Sequence, residues 1–173
     1  MNNWIVRFIT NALILLTIQI LVLNHLNLSG LINPYIYPLC ILILPLSTNH
    51  GFILLVGFII GLLVDLFQHS YGMHASAMVL IAFLRPYILR VFNPKEQEMN
   101  EIMDPYYHGM VWYLIYAGSL IFIHSFVFFF CEIGTFNQFW WTLLKVIISS
   151  SFATLLIWIY LMLTFRKTRK KYN

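Results

Sequence analysis

Charged side chains are scarce in this chain: 9% of its 173 residues are Asp, Glu, Lys or Arg, whereas 61% are hydrophobic. An ordinary soluble domain carries about 25% charged residues. A single compact core cannot absorb this much apolar surface, but a lipid bilayer can. The apolar runs are continuous and lack the strict alternation that the strands of a membrane barrel need. The sequence therefore predicts one all-α, polytopic membrane domain.

Motifs for catalysis and cofactor binding are also lacking. The chain has no glycine-rich phosphate loop ending in Lys-Ser or Lys-Thr, and no Cys or His pairs with metal-ligand spacing. Its six histidines are scattered over different loops and spans. Cys40 and Cys131 have no motif spacing, so we expect them to be unpaired packing residues. We therefore predict that the protein is not an enzyme and holds no metal and no cofactor.

Six membrane spans can be placed, at residues 5–23, 35–46, 51–67, 74–92, 111–131 and 143–165. The first has no small-residue cleavage site, so we interpret it as a retained helix. The second lies between Pro34 and Pro45 and holds about 12 residues, fewer than the ~17–25 that a straight span needs. It either extends into its flanks or is re-entrant.

The hydrophilic segments are short. The acidic loop 93–109 either links two spans or docks a cytoplasmic partner through a short helix between Pro94 and Pro105. Five of the ten Lys and Arg residues lie in the tail 166–173. This tail is typical of a topology anchor that also contacts anionic membrane lipids, rather than of a nucleic-acid site.

The third span carries the most informative pattern. Gly57, Gly61 and Asp65 are spaced at i, i+4 and i+8, so they share one helix face. Small residues at this spacing let another helix approach closely. A carboxylate at membrane depth costs about 2.5–3.5 kcal/mol on insertion scales, so Asp65 needs a hydrogen-bond partner. We expect that partner to be His74, His69 or a helix of another protein.

The fourth span places His74 and Arg85 on one face, after a turn at Gly72 and before Pro86. Three interpretations stay open for the two charges: contacts within the bundle, binding of a partner protein, and a solute site or proton relay. Arg85 either pairs with Asp65 or extends toward the cytoplasm. Other polar residues of the spans are expected to form hydrogen bonds between helices; they include Asn11, Gln19, His124, Ser149 and Ser150.

Together these residues resemble a known family. Gly61-Leu-Leu-Val-Asp65, Gly72-Met-His-Ala75 and Ala82-Phe-Leu-Arg-Pro86 are similar to the pattern of rod shape-determining protein MreD in Bacteroidetes-like bacteria. Length, span number and basic tail agree over the whole chain. The resemblance implies a six-helix layout like that of the substrate-binding subunits of vitamin transporters. The second span is shorter than that layout implies.

The resemblance also implies a role and partners. The role is that of a non-enzymatic inner-membrane component of the cell-elongation (Rod) complex. The implied partners are MreC and, through it, MreB, RodA and the elongation transpeptidase. Gly57, Gly61, Asp65, Gly72, His74, Arg85 and Pro86 are the candidate assembly residues. The alternative is a transporter subunit with an outward pocket near Asp65, His69, His74 and Glu132. A third, weaker alternative is a carrier of a lipid or a wall precursor, and no firm small-molecule ligand can be named.

The charge distribution predicts that both termini are cytoplasmic and that the Gly72 turn lies outside, because basic residues favour the cytoplasmic side. We expect a fluorescent protein fused after Asn173 to fluoresce and alkaline phosphatase at the same place to be inactive. Phosphatase activity at that position would show that the C-terminus lies outside, contrary to this prediction.

Overall fold

Six α-helices form the part of the chain that the computed structural model describes, residues 3–25, 32–45, 47–92, 109–135 and 137–164. They are α1 (Asn3–Leu21), α2 (Leu39–Leu42), α3 (His50–Gln68), α4 (Met73–Phe92), α5 (Met110–Ile133) and α6 (Phe139–Thr164), with a 3-10 turn at Leu23–His25. The four helices α3 to α6 are long and apolar enough to cross a membrane. The predicted all-α membrane fold is confirmed at this level.

Local signals set the ends of the long helices. The Asn49 side chain accepts a hydrogen bond from the Gly51 N–H at 2.8 Å and so caps the start of α3. At the other end of α3, His69 adopts a left-handed backbone with φ 55°. Gly72, with a left-handed φ of 88°, then completes the turn, and α4 begins at the next residue, Met73. α3 and α4 therefore form the helical hairpin that the sequence predicts.

The second predicted span, 35–46, differs in the structure, because only Leu39–Leu42 is helical. We call residues 32–45 the buried segment, since its residues from Pro34 to Leu44 are all buried. Proline supplies no N–H, and Pro34, Pro38 and Pro45 interrupt the helical hydrogen-bond pattern. The segment is therefore an irregular stretch inside the bundle rather than a lipid-facing helix.

The buried segment runs from one end of the bundle to the other. The Tyr37 hydroxyl contacts His74, in the first turn of α4. Farther along, the Ile41 side chain lies beside Gly57, and the Leu44 carbonyl oxygen accepts a hydrogen bond from Arg85. We call the two ends of the bundle the Gly72 end and the Phe92 end. The chain therefore passes between them at the place of the second predicted span, without a spanning helix.

The first and last helices run in opposite directions and are joined by a side-chain hydrogen bond. The Tyr160 hydroxyl donates to Asn11 Oδ1 at 2.6 Å. Asn3 and Thr164 are accordingly both at the Phe92 end, as an even number of passes requires. The predicted loop helix between Pro94 and Pro105 and the basic tail 166–173 lie outside the described residues.

The hairpin of α3 and α4 is packed backbone against backbone. A Cβ atom added at Gly61 would lie 2.5 Å from Ala75 Cα and 2.7 Å from the His74 carbonyl oxygen. At Gly57 an added Cβ would lie 3.2 Å from the Met78 carbonyl oxygen. Only glycine lets the helices approach this closely, as the small-residue spacing predicts.

Alanine replacements separate this packing from helix propensity. Gly61→Ala should lower the free energy of unfolding by about 1–3 kcal/mol, because the backbone of α4 must move. Gly57→Ala should cost less. Gly118→Ala is the matched control, since its added Cβ would lie 3.6 Å from Thr154, an ordinary contact. Thermal unfolding in detergent measures all three, and equal melting temperatures would show that the α3–α4 contact is loose.

Candidate functional site

Side chains from three helices satisfy the backbone of the buried segment. Gln19 Oε1 accepts from the Ile36 N–H at 2.9 Å, and Gln19 Nε2 donates to the Pro34 carbonyl at 3.3 Å. Ser149 Oγ accepts from the Asn33 N–H at 3.1 Å. Irregular backbone at membrane depth is tolerated only where its polar groups find such partners. These polar residues therefore hold the segment in place.

At the Phe92 end, Arg85 performs the same task. It is almost fully buried; it donates through a terminal guanidinium nitrogen to the Leu44 carbonyl oxygen and through Nε to the Tyr116 hydroxyl at 3.1 Å. Leu44 lies just beyond α2, where carbonyl groups have no partner within the helix. A buried cation at this position is stabilised by the partial negative charge of those carbonyls. Arg85 thus caps the end of the short helix.

Asp65 caps a different helix, α4. Its Oδ1 accepts from the Ser70 hydroxyl at 2.6 Å and the His74 N–H at 3.0 Å, and its Oδ2 accepts from the Ala75 N–H at 2.8 Å. The expected contact with His74 is present, through the backbone rather than the ring. A carboxylate at a helix N-terminus satisfies free N–H groups and favours the helix dipole. This explains how an acidic residue is stable inside the bundle.

Asp65 and Arg85 do not lie together. Asp65 binds the N–H of Ala75, which is about 15 Å from Arg85 along α4 at ~1.5 Å per residue. The two charges instead hold opposite ends of the hairpin, Asp65 at the turn and Arg85 near the Phe92 end.

Beside Asp65, a tyrosine joins two buried histidines. The Tyr37 hydroxyl lies 2.8 Å from His74 Nδ1 and 2.6 Å from His124 Nε2. The His74 ring stacks on Phe128 with ring centroids 4.2 Å apart, and Tyr35 packs edge-on against His74 with a centroid distance of 5.0 Å. The buried segment is thereby fixed to the first turn of α4 and to α5.

Hydrogen bonds extend this contact to the Gly72 end. His74 Nε2 lies 2.7 Å from Gln68 Oε1, and Gln68 Nε2 donates to Asn24 Oδ1 at 2.5 Å. Gln19 Nε2 donates to the same Asn24 oxygen at 2.9 Å. We call His124, Tyr37, His74, Gln68, Asn24 and Gln19 the polar chain.

Hydrogen bonds to the backbone determine which groups donate and which accept along the polar chain. Because Gln19 binds one N–H and one carbonyl, its amide orientation is determined, and Asn24 must accept through Oδ1. Gln68 then donates to Asn24 and accepts from His74 Nε2–H. With His74 neutral, Tyr37 donates to His74 Nδ1 and accepts from His124 Nε2–H. This leaves His124 Nδ1 unprotonated, in agreement with its having no hydrogen-bond partner among the described residues.

A cavity of about 490 Å³ adjoins the polar chain at the Gly72 end. Its lining is uncharged and combines apolar side chains with three amides: Ile20, Leu21, Leu23, Asn24, Asn33, Tyr35, Phe67 and Gln68. Its volume is within the ~300–1,000 Å³ range of small-ligand sites. None of the residues expected near a pocket lines this cavity; they are Asp65, His69, His74 and Glu132. Within the described part of the chain, no group of three His, Cys, Asp or Glu residues is arranged to hold a metal.

The candidate residues fall into two sets. Gly57, Gly61, Asp65, His74 and Arg85 are buried, and their contacts lie within the chain. Gly72 forms the turn, and Pro86 lies inside α4, where its missing N–H leaves a carbonyl without its helical donor. Direct contact of these residues with a partner protein stays a prediction.

Sequence reasoning missed Tyr37, Gln68 and Asn24. Tyr37 belongs to an apolar stretch in which an aromatic residue is unremarkable. Gln68 and Asn24 lie at predicted span ends, where polar residues are ordinary. The only signal was the proline-bounded second span: a short buried stretch at membrane depth requires polar partners from its neighbours.

Comparison with protein-family models, curated proteins and solved structures gives no match to this chain.

Removing the cap tests the role of Asp65. Asp65→Ala should destabilise the protein by at least about 1.5–3 kcal/mol, because two backbone N–H groups and one hydroxyl lose a charged acceptor. Asp65→Asn should cost less, since one oxygen remains. Ser76→Ala is the control, because this exposed hydroxyl bonds only within its own helix, to the Met73 carbonyl. Unfolding of the three variants in detergent would contradict the assignment if Asp65→Ala resembled the control.

Proposed function

We propose that the protein is a non-enzymatic membrane component of the bacterial cell-elongation complex, similar to MreD, and that it binds MreC through its helices. The observation that carries the proposal is the role of the motif residues in the α3–α4 hairpin. The two charged residues of the motif hold backbone in place, Asp65 at the start of α4 and Arg85 at the end of α2. The ring of its third polar residue, His74, contacts the side chains of Tyr37 and Gln68. A motif with this structural role suits an assembly protein, which acts by binding partners at its outer surface.

The described surface supports the same function. Most exposed large side chains of α3 and α4 are apolar, including Phe58, Leu62 and Phe83, and the exposed His50 and Arg90 lie at helix ends. Described segments between the long helices are short turns, such as the one at Gly72. A partner such as MreC would therefore meet membrane-spanning helix faces or the acidic loop. Through MreC the protein would act on MreB, RodA and the elongation transpeptidase in the inner membrane.

The cavity favours a second candidate function, that of a substrate-binding subunit of a small-molecule transporter. The amides of Asn24, Asn33 and Gln68 line it at one end of the bundle. Such a subunit requires an energising ATPase. Uptake of a small solute that depends on a neighbouring ATPase gene would support this alternative, and neighbouring genes for MreC and MreB would oppose it.

Co-purification tests the first proposal. Tagged protein co-expressed with the MreC of the same organism should capture it, and depletion of the protein should turn rods into round cells. Asp65→Ala should reduce both capture and rod shape while the variant still inserts, because removal of a charge makes insertion easier. Capture is normalised to the amount of each variant in the membrane, and Ser76→Ala should behave as wild type.

Two results would overturn the proposal. One is failure of the wild-type protein to capture MreC under conditions where it is folded. The other is normal rod shape after full depletion. Normal shape and capture for Asp65→Ala would instead remove that residue from the assembly function and make Arg85 the next to test.

A further inference from the structure

The cavity at the Gly72 end combines a polar floor with an apolar rim. Leu21 and Phe67 line it and are 67% and 61% exposed, on helices α1 and α3. Exposed apolar side chains of membrane helices contact lipid tails. The polar lining residues Asn24 and Gln68 follow directly at the ends of these helices, where head groups begin. The cavity therefore lies across the boundary between acyl chains and head groups.

In the floor, the amide oxygens and amide nitrogens of Asn24 and Gln68 differ in how many hydrogen bonds they already make. Asn24 Oδ1 already accepts two hydrogen bonds and Gln68 Oε1 accepts one from His74. Asn24 Nδ2 has no hydrogen-bond partner among the described residues, and Gln68 Nε2 uses one of its two hydrogens. At Asn24 and Gln68 the floor thus offers N–H donors while the amide oxygens are occupied, and the Asn33 amide, which also lines the cavity, has both a donor and an acceptor. An occupant should be rich in acceptor oxygens.

We propose that this cavity binds a membrane phospholipid. An acyl chain would lie against Leu21 and Phe67, and the glycerol ester and phosphate oxygens would accept from Asn24 and Gln68. Because Gln68 and Asn24 also belong to the polar chain, a bound lipid stabilises the end of α3 that holds His74 and the buried segment. The proposal does not depend on the cell-elongation function proposed above, since it needs no protein partner. It assigns a lipid, rather than a transported solute, to the cavity of the second candidate function.

Matched variants test the site. Asn24→Asp keeps the oxygen that Gln19 and Gln68 require but replaces the donor by a second oxygen. Asn137→Asp makes the same change at the same end of the bundle, at an exposed turn residue that does not line the cavity. Leu21→Ser removes part of the apolar rim, and Leu13→Ser is its control at a site on α1 that is 61% exposed. Leu21 and Leu13 are exposed, so neither change disturbs the core.

The probe is dioleoylphosphatidylglycerol added to delipidated protein in detergent, read by native mass spectrometry and by melting temperature. We expect a saturable rise in melting temperature and one retained lipid for the wild type, Asn137→Asp and Leu13→Ser. For Asn24→Asp and Leu21→Ser the apparent affinity should fall about tenfold, the change that corresponds to about 1.4 kcal/mol of lost contacts.

Glycerol 3-phosphate, the water-soluble head group alone, is the second probe. No rise in melting temperature with this compound is expected. An equal rise with glycerol 3-phosphate would overturn the lipid assignment and identify a solute site. Equal lipid retention by all four variants and the wild type would also overturn it, because the lipid would then bind the helix surface without the cavity.

Discussion

The structure depends on one constraint: an irregular stretch of backbone passes through the inside of a membrane bundle. Hydrocarbon offers no hydrogen bonds, so each peptide group that leaves a helix needs a partner from the protein. Gln19, Ser149 and Arg85 supply these partners from three different helices. These three polar side chains, each costly by itself in a membrane helix, are therefore explained together by the segment that they contact.

The two buried charges follow the same principle. Asp65 accepts from N–H groups at the start of α4, and Arg85 donates to a carbonyl beyond α2. Each charge faces the end of a helix dipole of opposite sign, which stabilises it without an ion pair between them. The glycines make this possible, because the close approach at Gly61 brings the start of α4 within reach of the carboxylate. The stabilisation of the Asp65 carboxylate therefore depends on the close packing of the hairpin.

The polar chain links this interior to the cavity. Two hydrogen bonds to the backbone fix the orientation of the Gln19 amide. That orientation determines which groups donate and which accept along the polar chain, through Asn24 and Gln68 to the His74 and Tyr37 side chains. As a result the cavity offers donors in excess, and its chemistry is set by hydrogen bonds that lie deep in the bundle. A change at the cavity therefore reaches the buried segment through a short series of direct contacts.

The sequence by itself determined the all-α membrane class, four long spans within a few residues of their observed ends, the hairpin and the need for glycine at Gly57 and Gly61. These features depend on local hydropathy and on spacing along one helix. Only the tertiary structure decided that the second predicted span is irregular and that Asp65 and Arg85 act apart. It also joined Tyr37 to two histidines and placed Asn24 beside Gln68. Hydrogen-bond partners distant in sequence depend on how helices are arranged around one another, and a single sequence does not encode that arrangement in any local pattern.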